Sequence, residues 1–320
     1  MPIAQATKWP TGPLPSPLID TIVTALGHDL YLIDALMHDE PQRLSCYLFD
    51  TPNRVLIECG PSRSIDHLYE ALAEIGVDDL AVMAVTHVHL DHAGGAGHLA
   101  ARFPRTRIGV HSAGARHLVA PHRLWDSAER IYGHQGMHDL WGPMEPVGED
   151  RLLVLEEGDR IPLGNGRSVE VMYTPGHAKH HIVFFEDETG GAFVGDAVGI
   201  AFPHGHIVQP VTPPPDFDPH LAADNLRRIA ARSPAFVGFA HFGPAADAPG
   251  TLAAAEERLW DWVAWVERAG DGDLTAAMRT WVLDDYRHQG YAEVAIAALD
   301  RNTFLPMQAA GIQRWLTMRG

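Results

Sequence analysis

The chain has 320 residues, 46% hydrophobic and 20% charged, enough for one large catalytic domain with an appendage or for two medium domains. A formal net charge of −17 opposes binding to nucleic-acid phosphates, and no basic run offsets it. No apolar run is long enough to span a bilayer, the N-terminus lacks a signal-peptide pattern, and Cys46 and Cys59 alone cannot build a disulfide framework. The expectation is a cytoplasmic protein that acts on a small molecule and touches neither membrane nor nucleic acid.

Residues 1–17 carry Pro2, Pro10, Pro13, Pro15 and Pro17 and read as an irregular N-terminal arm. Apolar runs at 30–33, 46–49 and 55–57 read as strands separated by turns. Leu68, Leu72 and Ile75 share one helical face over 65–75, with Ser64 as cap and Gly76 as stop. Residues 80–85 are continuously apolar, as in a strand buried on both faces, and lead straight into Thr86-His87-Val88-His89-Leu90-Asp91-His92. Gly94-Gly95 opens a helix to about Phe103, and 107–110 is the next strand. Residues 112–150 hold Trp125, Tyr132, Met137 and Trp141; they read as a partly helical insertion, either a lid or a packed structural excursion.

From 152 the strand pattern returns. Val169, Val171 and Tyr173 alternate and end at Thr174-Pro175-Gly176-His177. Strands at 182–185 and 192–194 follow, the second ending at Gly195-Asp196, and a strand at 235–239 ends before His241. Asp218-Pro219 is a helix start, with the acid as cap. After Pro249-Gly250 a stripe of Leu252, Ala255, Leu259, Val263 and Val266 marks a helix, with further helices over 274–289 and 303–318. The domain reading is an arm at 1–17, a catalytic domain at 18–248 and a helical extension at 249–320.

The chemistry rests on His87-x-His89-x-Asp91-His92. Alternate residues of an extended segment point the same way, so His87 and His89 can share one metal. The turn that follows can bring Asp91 and His92 to a second metal. Imidazole and carboxylate donors suit zinc, and also iron or manganese. His177, Asp196 and His241 complete the set. A single histidine after a strand is more often a hydrogen-bonded loop residue, but these three share one context: each ends a predicted strand, where an α/β scaffold places its site. His180, His181, His204 and His206 are candidates for supporting or substrate contacts. The bland reading, surface or packing histidines, weighs equally for the first two. Cys59, a small residue ending a strand, reads as packing rather than as ligand or nucleophile.

Five ordered motifs across about residues 25–245 resemble the metallo-β-lactamase superfamily on its glyoxalase II-like side. They are the strand leading to Glu58-Cys59-Gly60, the His87–His92 cluster, His177, Asp196 and His241. The resemblance implies an α/β fold of the α+β kind, a four-layer αβ/βα sandwich with the metals at one edge of the two sheets and a carboxy-terminal helical extension. By motif position His87, His89 and His177 hold one metal, Asp91, His92 and His241 the other, and Asp196 bridges. Many relatives have Asp-x-Gly where this chain has Glu58-Cys59-Gly60, so Glu58 either takes over that supporting hydrogen bond or leaves it unfilled.

The expected activity is metal-dependent hydrolysis of a small ester-like substrate, a thioester, lactone or phosphoester. Two divalent ions, zinc first, share a hydroxide, and Asp91 orients it or passes its proton. Two other readings compete. A mononuclear iron persulfide dioxygenase uses the positions matching His87, His177 and Asp196. A non-catalytic metal-binding module keeps the fold without the reaction. Trp260, Trp262, Trp265 and Trp281 give the extension more aromatic surface than one helical face needs, which motivates a homodimer.

Overall fold

Strands that are apolar on both faces need cover on both sides. The computed structural model describes residues 22–202, 207–270, 272–302 and 305–319. Among these residues one sheet orders seven strands in sequence: β1 (Val23–Gly27), β2 (Leu30–Asp34), β3 (Ser45–Phe49), β4 (Val55–Ile57), β5 (Val82–Ala84), β6 (Arg107–His111) and β7 (Leu152–Leu155). The run β1 to β4 is antiparallel, and β4 to β7 pair in parallel. Helices α1 (Ile65–Ile75), α2 (Leu90–Ala93), α3 (Ala96–Arg102), α4 (Ser112–Val119) and α5 (His122–Gly136) connect the parallel strands.

The second half of the chain supplies β8 (Arg160–Gly164), β9 (Arg167–Tyr173), β10 (Ile182–Glu186), β11 (Gly191–Gly195), β12 (Ile200–Phe202), β13 (Ile207–Gln209), β14 (Phe236–Phe239) and β15 (Gly243–Ala245). Six of these form a sheet in the order β15-β14-β11-β10-β9-β8, while β12 and β13 pair as a separate ribbon. Its helices are α6 (Pro219–Ala231), α7 (Ala248–Ala269), α8 (Thr275–His288), α9 (Glu293–Asn302) and α10 (Leu305–Arg319).

Side chains alternate across each strand and sort into three layers of core. Leu30, Leu32, Tyr47 and Phe49 meet Val169, Val171, Ile182, Phe184 and Phe193 between the sheets. Ile33, Cys46, Leu48 and Met83 face the other way, against Leu68 and Leu72 of α1 and Leu99 of α3. Val183, Phe185, Val194 and Val237 pack on Leu226 and Ile229 of α6 and on Leu259 and Trp262 of α7. The layer order is therefore helices, sheet, sheet, helices.

Several elements differ from the sequence reading. Ser64 precedes α1, but its side chain makes no capping hydrogen bond. The helix expected from Gly94 begins earlier, as the single turn α2, and resumes as α3. β1, β8, β12, β13, β15 and α9 are further elements that the sequence reading does not mark. Insertion 112–150 is mostly helical; Trp141, 8% exposed, roots it through the Ser62 hydroxyl, which donates to the Trp141 carbonyl at 2.9 Å. The arm at 1–17 lies outside the described residues. No helix among the described residues is long and apolar enough to cross a membrane. The tryptophans of the extension are used within the chain: Trp262 is fully buried, and Trp265 stacks on Trp281 with centroids 5.2 Å apart.

Phe193 anchors the inter-sheet core. Its ring meets Tyr47, Phe49 and Phe236 edge to face at 4.8, 5.4 and 5.8 Å. Truncation there leaves a cavity that neither sheet can close. Phe193→Ala is expected to cost about 3–5 kcal/mol, read as a lower denaturant midpoint at unchanged slope.

Candidate metal centre

The parallel strand β5 ends at Ala84, and the chain bends at Thr86 and again at His89, which has φ −64° and ψ 156° and precedes α2. His87 and His89 therefore project from the bent segment that follows β5. One helical turn then carries Asp91 and His92 back over it. His177 lies in the turn after β9, Asp196 directly after β11, and His241 two residues after β14. Gly195 must be glycine: its φ is +49°, and a Cβ would collide with the Thr86 side chain.

All seven expected donors converge, in two groups. His87 Nε2, His89 Nδ1 and His177 Nε2 face one another at 2.9, 3.0 and 3.2 Å. In the second group His92 Nε2 and His241 Nε2 are 3.3 Å apart, with Asp91 Oδ2 3.8 and 3.5 Å from them. Asp196 lies between, with Oδ2 3.5 Å from His177 Nε2 and Oδ1 3.4 Å from His92 Nε2. Although His92 is that close, Asp196 Oδ1 has no hydrogen bond of acceptable geometry and is fully buried. A buried carboxylate oxygen without a donor is costly.

The arrangement fits a metal. Nitrogens about 2.0–2.1 Å from a tetrahedral zinc stand about 3.3 Å apart, close to the spacings within both groups. Each group could hold one ion.

The far side of most rings is fixed. His177 Nδ1 donates to the Val211 carbonyl at 3.0 Å and His241 Nδ1 to the Arg43 carbonyl at 2.5 Å. His92 Nδ1 donates to Glu58 Oε1 at 3.2 Å, and the same oxygen accepts from the Thr86 hydroxyl at 2.5 Å. Thr86 in turn accepts from His87 Nδ1 at 3.0 Å. Each bond leaves the opposite nitrogen's lone pair aimed at the centre. Glu58 thus fills the supporting role despite its extra methylene, at φ +68°.

His181 is fully buried and turned inward. Its Nδ1 donates to Thr174 Oγ1 at 2.7 Å, and its Nε2 accepts from the Asp196 amide at 3.1 Å. It positions Asp196 and cannot meet a substrate. His180 is partly exposed, while His204 and His206 lie outside the described residues. Cys59 is buried, its thiol pushed well up by burial, with Sγ against the His92 carbonyl at 3.2 Å. Thr86, Val211 and Arg43 were not read from the sequence. Two of them act through backbone carbonyls, which leave no trace in residue type.

Burial holds His87, His89 and His177 down, toward the neutral form that ligates. Burial also opposes charge on His92, but Asp196, Asp91 and Glu58 surround it and raise it well above the usual range. His241 is raised against burial by its hydrogen bond to Asp91 and by Asp196. Burial would lift Asp91 and Asp196, yet His92 and its neighbours keep both carboxylates ionised.

The sequence profile of the metallo-beta-lactamase superfamily matches residues 21–241. The chain belongs to the metallo-beta-lactamase superfamily. It is similar to the metallo-beta-lactamase fold-containing protein ST1585 of Sulfurisphaera tokodaii, 28% identical over 248 residues that cover 76% of this chain and 80% of that protein. The crystal structure of ST1585 aligns at a TM-score of 0.62, covering 74% of this chain and 87% of that one. The metallo-beta-lactamase family protein TTHA1429 of Thermus thermophilus, 20% identical, shares the fold at a TM-score of 0.66 over 92% of this chain and 95% of that one. A hydroxyacylglutathione hydrolase of Synechococcus sp. is 26% identical over 156 residues, about half of each protein at 48% of both. Helices α7 to α10 lie beyond the span that the superfamily profile matches.

Two outcomes test the centre. In the metal-free protein Asp196, Asp91 and Glu58 raise the proton affinity of His92 well above that of an ordinary imidazole, and His241 is shifted in the same direction. An incoming cation must displace protons held there, so zinc uptake at pH 7 should acidify weakly buffered solution, and affinity should fall as pH falls. Uptake with no proton release, followed with an indicator dye, would contradict this. Glu58→Gln keeps the shape but removes the carboxylate, and should weaken metal binding about 10–100-fold in chelator competition.

Proposed function

We propose that this protein is a dinuclear metallo-hydrolase that cleaves a small acyl thioester or related ester. The observation that carries the reading is Asp196, which presents one oxygen to each of two complete donor groups. A site for a single iron needs only His87, His177 and Asp196; it gives Asp91, His92 and His241 no task. The likeness to a hydroxyacylglutathione hydrolase supports a thioester among ester-like substrates.

Metal ions held by these groups would acidify a water and polarise the acyl oxygen. The remaining work falls to the protein. His87, His92, His177 and Asp196 are buried and form the floor, while His89, Asp91 and His241 are partly exposed and face the approach of substrate. Asp91 combines exposure with a carboxylate kept ionised by His92 and His241. It can accept the hydrogen of the attacking water, orient the free lone pair toward the acyl carbon, and return the proton to the departing thiolate. The Glu58–Thr86 pair keeps His87 and His92 from rotating during these steps.

The test is elemental analysis followed by a panel of acyl thioesters, lactones and phosphoesters. About two zinc ions per chain with thioester hydrolysis abolished by chelator is the expected result. Close to one iron per chain, with oxygen uptake on persulfides, would replace this reading by the dioxygenase. Asp91→Asn should lower kcat by about 10²–10⁴-fold, the usual worth of a positioned acid–base group.

A further inference from the structure

Beyond the converging donors, one partly exposed imidazole beside them has a hydrogen to give. His180 is partly exposed, as are His89, Asp91 and His241. Its ring lies 5.9 Å from that of His89 at 90°, and 6.2 Å from that of His87, nearly parallel at 15°. The Val88 amide donates to His180 Nδ1 at 3.4 Å. A neutral ring whose Nδ1 accepts carries its hydrogen on Nε2. Among the described residues no hydrogen bond uses that Nε2–H. Gly114 of α4 lies next to the residue: a Cβ there would stand 3.6 Å from His180 Cβ. The adjacent His181 spends both nitrogens on Thr174 and Asp196; His180 spends only one.

We infer that His180, through Nε2–H, donates a hydrogen bond to the carbonyl oxygen of the bound ester, the atom on which charge accumulates during attack. This rests on the hydrolase reading above and names a group that the reading does not need. As the bond from water oxygen to the acyl carbon forms, the carbonyl π pair moves onto oxygen, where His180 meets it. When the carbon–sulfur bond breaks, that pair re-forms the carbonyl and the thiolate leaves. His180 keeps its proton throughout: a neutral imidazole N–H is a donor to an oxyanion and a very weak acid.

The experiment compares wild type, His180→Phe and His180→Gln as metal-loaded proteins, with metal per chain and circular dichroism measured on each. Phe removes the donor and keeps the bulk; Gln returns an N–H near the position of Nε2. His180→Phe is expected to lower kcat about 100-fold, equally for a thioester and an oxyester of the same acyl group, with KM and metal content unchanged. His180→Gln should recover at least tenfold of the loss. Titration calorimetry with phenylphosphonate, whose anionic tetrahedral oxygens imitate the charged state, gives a readout apart from turnover. Its Kd should rise at least tenfold in His180→Phe and return toward wild type in His180→Gln.

Unchanged kcat and unchanged phosphonate affinity in His180→Phe would overturn the inference. So would a loss of metal in parallel with activity, which makes His180 a support of the metal centre. A loss confined to oxyesters would also overturn it, because it places His180 at the leaving group. If wild type hydrolyses no ester and phosphonate binding still depends on His180, the donor stands and the hydrolase reading falls.

Discussion

The centre depends on charge balance inside a volume that water cannot screen. Five imidazoles and the carboxylates of Asp91 and Asp196 are gathered at one edge of the sandwich, with Glu58 directly behind. Burying an ion costs several kcal/mol unless a partner or hydrogen bonds offset it. In the metal-free protein that partner is the proton on His92, held among three carboxylates. Asp196 Oδ1 stays without a donor even so. A cation placed among these groups would satisfy what the proton satisfies only in part.

Rigid placement matters as much as charge. Parallel strand β5 and strands β9, β11 and β14 deliver the donors from their ends, and the inter-sheet core around Phe193 holds those ends in register. The rings are then fixed from behind, by Glu58 and Thr86 on one side and by the Val211 and Arg43 carbonyls on the other. The carboxy-terminal helices take part. Thr212, next to Val211, donates from its hydroxyl to the Gln308 carbonyl of α10 at 2.9 Å and from its amide to the Gln308 side chain. Gly311 packs so closely on the Thr212 carbonyl that any side chain there would collide with it. The extension thereby braces the segment that orients His177.

Neighbouring residues of one type are divided between different tasks. His180 and His181 are adjacent and chemically identical, yet one is partly exposed and the other is sealed inside. His181 orders the backbone of Asp196, and His180 accepts from the Val88 amide. Glu58, with a left-handed backbone at φ +68°, meets both Thr86 and His92.

By itself the sequence determined much of the architecture and the donor set. The apolar runs at 30–33, 46–49 and 55–57 lie in β2, β3 and β4, and the face of Leu68 and Leu72 lies on α1, because burial imposes a period that residue types record. His87, His89, Asp91 and His92 stood out through spacing, and His177, Asp196 and His241 through their places after strands. Tertiary structure alone decided which donors meet, since residues up to about 150 positions apart, such as His92 and His241, are joined only by the pairing of sheets. It also decided the supports, because carbonyls at Val211 and Arg43 act independently of side-chain identity. Separating His180 from His181 likewise required the fold: burial is a property of position, and two identical neighbours carry no local signal of which one water can reach.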